Sequence, residues 1–271
     1  MTVSVLIPAY NAAADLPRAL DSLRAQTRKA DEIIVCDDGS REDPAPALAA
    51  YPEVRLVRQT HGGLSKARNT LLDEAKGDVV MFLDADDTVR PEWIARQAGM
   101  LEETGADIAV CGILAGRQLD ERRYTWPCEG KGRGVIDGAE YYRCQLEHRP
   151  GVYSYLPLVA MRREQLMRRP RVRGVLGLQA HEDEAFLLQV AKRVKKVAFT
   201  EECLYEYIYT PQSICADYMR SQVPTARTRY QWYLKDFSKF RTSRRPGFLV
   251  KSLRNLVYAW CLRLFKGEPL T

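Results

Sequence analysis

An apolar run of the sequence ends in three carboxylates. The run is Val79–Leu83, and the acidic residues that follow it are Asp84, Asp86 and Asp87. The run is too short for a buried helix and is rich in strand formers, so it predicts a central strand covered on both faces. Because side chains alternate along a strand, Asp84 and Asp86 are expected to leave its carboxyl end on the same side.

Closely spaced carboxylates of this kind are typical of a metal site. Two like charges held together are unfavourable unless a positive charge lies between them. A divalent cation meets that need, and hard carboxylate oxygens suit Mg²⁺ or Mn²⁺. In open α/β sheets ligands bind beyond the carboxyl ends of the strands, where this cluster is expected. A solvated acidic turn before the helix that begins near Pro91 is the alternative, and the segment alone does not separate the two.

Strands and helices alternate through residues 1–110, and these elements must position the carboxylates. Short apolar runs are separated by amphipathic stretches, an order that predicts a parallel, doubly wound sheet. The predicted strands are Val3–Ile7, Glu32–Cys36, Val54–Val57, Val79–Leu83 and Asp107–Cys111, and the predicted helices cover about 12–26, 43–50, 64–76 and 91–104.

The first two predicted strands end in polar or turn-forming residues. They are followed by Pro8–Asn11 and by Asp37–Ser40. An acidic residue after the second strand of a nucleotide-binding fold commonly accepts hydrogen bonds from a ribose or a base. A turn at Gly39 with a helix cap at Ser40 is the alternative interpretation. No GxGxxG pattern follows the first strand, which disfavours a dinucleotide site.

A glycine pair precedes the third predicted helix. Gly62 and Gly63 allow a sharp turn before the helix in which Arg68 lies early. The side chain of Arg68 is a candidate to pair with Asp37, Asp38 or a phosphate. A solvated arginine on an exposed helix face is the alternative.

Four segments in this order closely resemble glycosyltransferase family 2, whose members are GT-A enzymes. Together they extend over about 90 residues, and their combination is far more specific than any one motif. The resemblance implies an α/β GT-A fold with a mostly parallel, Rossmann-like sheet and helices on both faces. It also implies a nucleotide-diphosphate sugar as donor and a hydroxyl of a glycan or lipid-linked molecule as acceptor. The segments are Ile7–Asn11, Asp37–Ser40, Gly63–Asn69 and Asp84–Asp87.

Donor binding is what the resemblance implies for five residues of these segments. Pro8 and Tyr10 would line the nucleotide pocket, with Tyr10 stacking near the base. Asp38 would bind the base edge, and Arg68 would support the nucleotide site. Asp84 would lie by the ribose and the metal.

The same resemblance implies a metal ligand and a general base. Asp86 would ligate a Mn²⁺ or Mg²⁺ ion on the diphosphate. In the acidic stretch His181–Leu188, the family's pattern makes Asp183 the general base, with Glu182 orienting it or contacting the acceptor. A carboxylate suits this role because it needs only to accept a hydroxyl proton. Taken by itself, the stretch is an acidic first helical turn favoured by the helix dipole. Many relatives have a histidine where this sequence has Thr210, and in some of them it ligates the metal, so a histidine ligand is not expected here.

The rest of the second half of the chain shows weaker patterns of secondary structure. Residues 116–134 predict a loop or hairpin on the acceptor side, and Asp137 begins a helix that ends near residue 146. Arginines between positions 162 and 173 could contact an anionic acceptor or the donor diphosphate, or could simply be solvated. Further strands are predicted over Val152–Met161, Lys195–Phe199 and Leu204–Tyr209.

Composition excludes several classes of protein. An apolar fraction of 46% is that of an ordinary globular chain. Seven scattered cysteines, odd in number and without a CxxC pair, indicate reduced thiols in the cytosol and argue against disulfides or a zinc site. No run approaches about 18 apolar residues, and the N-terminus enters a strand without a charged leader. Neither a transmembrane helix nor a signal peptide is therefore expected.

The C-terminal fifth of the chain is strongly basic. Residues 218–271 hold 12 Lys and Arg against 2 Asp and Glu, although the whole chain has a net charge of only +6. Residues 248–266 predict a helix with basic residues opposite Leu and Trp. The segment 235–266 could therefore contact an anionic membrane surface, or the helix could dock on the body or on a second subunit, and both interpretations stay open. A nucleic-acid partner is disfavoured because no aromatic platforms are interleaved with the basic residues.

We predict three regions and one activity. Residues 1–110 are the nucleotide-sugar-binding half of a GT-A domain, 111–217 its acceptor-side half, and 218–271 a basic helical appendage. The activity is inverting transfer of a sugar, expected to come from a UDP-sugar, in bacterial surface-polysaccharide synthesis in the cytoplasm, at the inner membrane face. A non-catalytic nucleotide-sugar-binding subunit of a polysaccharide-synthesis complex is the alternative, and an oligomer is compatible with the sequence.

Overall fold

A computed structural model gives the structure of most of the chain. The predictions for Thr210, for the basic region 218–271 and for its segment 235–266 lie outside the described residues. The described residues are 1–117, 120–126, 134–147, 154–177 and 182–209.

One mixed sheet, flanked by helices, runs through the described residues. Its strands lie in the order β3-β2-β1-β4-β9-β6-β10-β5, with β7 paired to β6 and β8 paired to β10. The strands are β1 Val3–Ala9, β2 Glu32–Asp37, β3 Val54–Arg58, β4 Val79–Phe82, β5 Thr88–Val89, β6 Ile108–Arg117, β7 Asp120–Trp126, β8 Gly134–Asp137, β9 Val159–Arg162 and β10 Lys196–Tyr209. The helices are α1 Leu16–Arg24, α2 Ala45–Leu48, α3 Leu64–Glu74, α4 Trp93–Thr104, α5 Gly138–Glu147, α6 Arg163–Met167 and α7 Glu182–Ala191.

The first four strands form the parallel part of the sheet. β1 pairs in parallel with both β2 and β4, and β2 pairs in parallel with β3. All of β4 is buried, as predicted for a strand covered on both faces. Leu16, Leu20 and Leu23 of α1 are buried on one stripe, which is the spacing of a sheet-packed helix. The carboxyl ends of these strands lie at one edge of the sheet, and the polar turns that follow them meet there.

The rest of the sheet is more antiparallel than the strand–helix alternation predicts. β9 runs antiparallel to β4 and to β6, and β6 and β7 form a hairpin, one of the two structures predicted for residues 116–134. The strand predicted over Val152–Met161 is shorter, because a 3₁₀ turn containing Pro157 occupies Leu156–Leu158 and β9 begins at Val159. Proline has no N–H to give to a sheet ladder.

Two predicted strands, Lys195–Phe199 and Leu204–Tyr209, are one continuous strand, β10. The helix predicted from Asp137 is present as α5, and the Asp137 carboxylate accepts the Ala139 N–H at 2.7 Å. Among the described residues, no helix combines the length and apolar character needed to cross a bilayer.

Three of the arginines between positions 162 and 173 bind other parts of the described fold. Arg162 donates to the carbonyls of Ala106 and Leu101 at 2.7 and 2.8 Å. Arg171 and Arg173 both pair with Asp73 on α3. Three of the arginines that could contact an anionic acceptor or the donor diphosphate therefore have partners within the protein.

Candidate active site

The acidic turn after β4 holds three carboxylates in different surroundings. The Asp87 N–H donates to the Asp84 carbonyl at 3.1 Å, so the chain turns here and strand alternation does not extend to Asp86. Asp87 is fully buried, whereas Asp84 and Asp86 are partly exposed. The three side chains therefore require different partners.

Arg68 is the cation at the centre of the carboxylate cluster. Its guanidinium is buried, pairs with Asp183, and lies 3.4 Å from Asp84 Oδ1 and 3.8 Å from Glu182 Oε1. Its Cζ atom is 5.9 Å from the centroid of the Phe82 ring at the end of β4. Burial alone would lower the pKa of Arg68, but the charges of Asp183, Asp84 and Glu182 outweigh it and raise the pKa above its ordinary value.

Arg68 does not pair with Asp37 or Asp38, the two carboxylates that the sequence offered as partners beside a phosphate. Its guanidinium lies against Asp84 and Asp183 instead. The Asp38 carboxylate already accepts hydrogen bonds from the loop before α3, including the Gly63 N–H at 2.8 Å. Arg68 neutralises the charges of Asp84, Glu182 and Asp183.

Asp183 lies in the first turn of α7 and is buried. Its Oδ1 atom accepts from Arg68, a residue 115 positions earlier in the chain, and its Oδ2 atom accepts from the Leu156 N–H at 3.0 Å. Both carboxylate oxygens are therefore held in place. Glu182 begins the same helix, and burial, followed by the Asp183 charge, raises its pKa.

Two tyrosines connect the acidic turn to β10 and to the segment before β9. The Tyr155 hydroxyl lies 3.0 Å from Asp84 Oδ2 and 3.1 Å from Asp87 Oδ2. The Tyr205 hydroxyl donates to Asp87 Oδ2 at 2.7 Å, and the Ile208 N–H donates to Asp87 Oδ1 at 2.8 Å. Burial, together with the nearby charges of Asp84 and Asp86, holds the pKa of Asp87 well above its usual range.

Asp86 is the carboxylate of the turn that could hold a metal. Burial, followed by the Asp84 charge, raises the pKa of Asp86 to about 6. Arg18 donates to the Asp86 carbonyl at 2.6 Å. The charge of Arg18 and a backbone N–H favour the ionised Asp86 carboxylate but do not offset its burial. Within the described ranges, no three His, Cys, Asp or Glu side chains form a complete ligand set. A single carboxylate fits a cation whose other ligands are phosphate oxygens and water.

A second cluster lies at the ends of β1 and β2. The Tyr10 and His61 rings are stacked, with centroids 4.3 Å apart and planes at 28°. The His61 Nδ1 atom lies 2.9 Å from Asp38 Oδ2 and 3.1 Å from the Asp38 carbonyl. Since both partners are acceptors, Nδ1 carries the hydrogen and donates. Pro8 is buried within β1, opposite Cys36 of β2.

The Asp38 carboxylate is buried and holds the loop before α3. Besides His61 it accepts the Gly62 N–H at 3.0 Å, the Gly63 N–H at 2.8 Å and the Gln59 side-chain amide at 2.5 Å. These donors hold the carboxylate in place before the first residue of α3. The base-binding role implied for Asp38 stays a prediction.

Of the predicted site residues, the structure brings Arg68, Asp84, Glu182 and Asp183 together, and it joins Tyr10 to Asp38 through His61. Three residues of these clusters were not predicted as site residues, namely Asp87, Tyr155 and His61. Asp87 carried a signal, because it is part of the acidic motif. Tyr155 and His61 have roles that only their distant neighbours reveal.

The chain is similar in sequence to known glycosyltransferases. The sequence model described as "Glycosyl transferase family 2" matches residues 4–153, more than half of the chain. The "Uncharacterized glycosyltransferase YibD" of Escherichia coli K12 is 30% identical over 211 residues, which are 76% of this chain and 60% of that protein. The chain thus spans less than two thirds of this curated relative.

Solved glycosyltransferase structures share the fold. Staphylococcus aureus TarS 1–349 in complex with UDP-GlcNAc superposes with a TM-score of 0.71 at 18% identity, over 91% of this chain and 68% of that one. Mannosyltransferase PcManGT of Pyrobaculum calidifontis, in complex with GDP-Man and Mn²⁺, gives 0.60 at 19% identity, over 94% and 69%. The fold is GT-A, and with the family match above it follows that the chain belongs to glycosyltransferase family 2.

Proposed function

We propose that this family 2 glycosyltransferase transfers a sugar, with inversion, from a UDP-sugar to a hydroxyl of a glycan or lipid-linked acceptor in surface-polysaccharide synthesis. The observation that carries the proposal is the cluster around Arg68. It brings the implied donor residue Asp84 and the implied base Asp183 to one buried guanidinium. Residues so far apart in the sequence meet here as one polar site at the edge of the sheet.

Asp183 is the proposed general base. It takes the proton of the acceptor hydroxyl while that oxygen forms a bond to the anomeric carbon and the bond from this carbon to the nucleotide diphosphate breaks. The Leu156 N–H and the Arg68 guanidinium fix the orientation of the carboxylate. Arg68 also places positive charge next to Asp84, where the nucleotide's own negative charge would otherwise be opposed by carboxylates.

Asp86 is the proposed protein ligand of Mn²⁺ or Mg²⁺. When bound, such an ion neutralises the charge that develops on the leaving diphosphate. The place of Asp86 in the acidic turn, where burial and the Asp84 charge raise its pKa to about 6, supports this assignment, as does the Mn²⁺ in PcManGT. Asp84 contributes negative charge beside it.

The identity of the nucleotide is also a proposal. Tyr10 and Asp38 are the proposed base contacts, with Pro8 lining the pocket. The UDP-GlcNAc in TarS supports a UDP-sugar, although PcManGT holds GDP-Man.

The division into 1–110, 111–217 and 218–271 is proposed on sequence grounds, as is attachment of 235–266 to an anionic membrane surface on the cytoplasmic side. Flotation with liposomes that contain anionic lipid tests the attachment. The wild type should float, and a variant lacking the basic side chains of 235–266 should not.

Calorimetric titration with UDP, GDP, CMP and dTDP, with and without Mn²⁺, tests the donor site. We expect metal-dependent binding of UDP that is lost in Asp86→Ala. Asp15→Ala is the matched control, since Asp15 is a carboxylate that pairs with Arg18 beside the turn and has no proposed role in metal binding. If none of these nucleotides binds with metal present, the proposed function is wrong. Nucleotide binding without transfer or hydrolysis of any donor would instead favour a non-catalytic subunit.

A further inference from the structure

His61 makes the two contacts that the proposed function assigns to the nucleobase. A base in this pocket would stack on Tyr10 and donate a ring N–H to Asp38. The His61 imidazole is itself a planar ring stacked on Tyr10 at 4.3 Å, and its Nδ1 atom lies 2.9 Å from Asp38 Oδ2. A side chain of this protein therefore meets the same stacking surface and the same acceptor.

The base and His61 cannot make both contacts at once. Because His61 stacks on Tyr10 and also reaches Asp38, the carboxylate lies on the His61 side of the Tyr10 ring. A base stacked on the opposite face of Tyr10 would be separated from Asp38 by the thickness of the phenol. A base that both stacks on Tyr10 and bonds to Asp38 must therefore take the position of the imidazole.

The His61 side chain is free enough to leave that position. It is 55% exposed, whereas that of Asp38 is 3% exposed, and it precedes the pair Gly62–Gly63, of which Gly63 has φ +85°. The Gly62 and Gly63 N–H groups hold Asp38 independently of the imidazole. Rotation of His61 would leave the carboxylate buried, anchored and ready to accept from a ligand.

We propose that His61 occupies the base position of the donor pocket and lowers its affinity for nucleotides, because it competes with the nucleobase for the face of Tyr10 and the carboxylate of Asp38. The inference rests on the proposed function. Displacing His61 costs both of its contacts whichever base binds, and a base offsets this cost fully only if it restores both contacts. Uracil does so, because it stacks and offers the N3–H to Asp38. Cytosine presents an N3 lone pair to the carboxylate and restores only the stacking.

Substitution of His61 tests this competition. UDP and CDP are titrated in the presence of Mn²⁺ into wild type and His61→Ala, with Thr60→Ala as the control from the same exposed loop. Removing a competing conformer raises the apparent affinity by the reciprocal of the fraction of molecules that were free of it. We expect UDP to bind His61→Ala roughly threefold to twentyfold more tightly than wild type, for a competitor held by one stacking contact and one hydrogen bond. UDP should bind more tightly than CDP to all three proteins.

Proton NMR gives a readout that does not depend on affinity. The chain has three histidines, and comparison with His61→Ala assigns the His61 ring signals. Stacking on Tyr10 should shift them upfield, and saturating UDP should return them toward the position of an exposed histidine.

Each result separates the inference from the proposed function. If UDP binds wild type and His61→Ala equally, or binds His61→Ala more weakly, the competition does not exist although the donor site does. Upfield His61 signals that persist at saturating UDP, or CDP binding as tightly as UDP, also overturn the inference. If neither protein binds any nucleotide, the proposed function fails together with the inference.

Discussion

Two clusters of the site are held together in opposite ways. The base cluster is Tyr10, Asp38 and His61, where the nucleobase is proposed to bind. The carboxylate cluster is the acidic turn with Arg68, Glu182 and Asp183. The base cluster places Tyr10, 45% exposed, against an exposed histidine on a glycine-containing loop. The carboxylate cluster places Arg68 and Asp87, 2% and 0% exposed, among tyrosines and acidic residues from several elements. One is a surface arrangement fixed by loop N–H groups, and the other is a buried network of side chains.

This difference decides what a substitution should change in each cluster. Removing one partner of a buried charge leaves the other unpaired, so the carboxylate cluster couples stability to activity. Exposed rings contribute little to folding, so substitutions in the base cluster should alter binding while the protein stays folded. The predictions below test this contrast.

The largest effect is expected for Asp183→Asn. The amide keeps the size of the side chain and can still accept the Leu156 N–H, but it cannot take the acceptor proton. Turnover should fall by roughly 10²–10⁴, while UDP affinity with Mn²⁺ stays close to that of the wild type. Steady-state kinetics and calorimetry on the same preparations measure both quantities.

Asp73→Asn is the matched control for Asp183→Asn. Asp73 pairs with Arg171 and Arg173 on the surface of α3, and its loss should leave turnover unchanged. Near-wild-type turnover of Asp183→Asn would remove Asp183 from the role of base.

The sequence predicted the elements better than the contacts between them. The parallel strands and the buried stripe of α1 follow from local spacing of apolar residues, which the sequence displays directly. The sequence offered Asp37 and Asp38 as carboxylate partners of Arg68 and did not predict Asp183, because α7 brings Asp183 to Arg68 across 115 positions. No local sequence pattern predicts a contact between residues so far apart in the chain.

Residues that act through distant partners were the hardest to predict. Tyr155 precedes a 3₁₀ turn, and nothing in the sequence around it indicates that its hydroxyl reaches Asp84 and Asp87. The alternation of Tyr205 and Tyr207 was visible, but their edge-to-face contacts with the Tyr155 ring were not. The motifs therefore identify the carboxylates and leave their supporting donors to be found in the structure.

A pair of Tyr→Phe substitutions compares the two clusters directly. Tyr155→Phe keeps the ring contacts but removes the hydroxyl shared by Asp84 and Asp87, so it should lower the free energy of unfolding by about 1–3 kcal/mol. Tyr10→Phe, on the exposed ring, should change it by less than about 0.5 kcal/mol. Urea denaturation measures both. Equal losses for the two variants would show that burial does not distinguish the clusters.

The raised pKa of Asp86 predicts a pH dependence for metal-dependent binding. Because burial and the Asp84 charge raise this pKa to about 6, the carboxylate is protonated below pH 6, and a proton then competes with the metal. UDP affinity with Mn²⁺ should therefore be constant above about pH 7 and should fall about tenfold per unit below pH 6. Calorimetry between pH 5 and pH 8 measures it. An affinity that does not change across this range would mean that another group binds the metal. The Asp86→Asn variant should show no change of slope near pH 6.

The smallest effect isolates the loop that supports the base cluster. Gly39 has φ +72°, and a Cβ atom there would lie 2.8 Å from the His61 backbone nitrogen. Gly105, at the end of α4, has φ +67° with open space around it. Alanine at either position should cost about 1–2 kcal/mol of stability, because both adopt left-handed backbone. Only Gly39→Ala must also displace the loop whose N–H groups hold Asp38, so it alone should weaken UDP binding, by roughly fivefold for about 1 kcal/mol of strain. If Gly105→Ala weakens UDP binding as much, the loss reflects general destabilisation, and the loop does not act independently of the buried cluster.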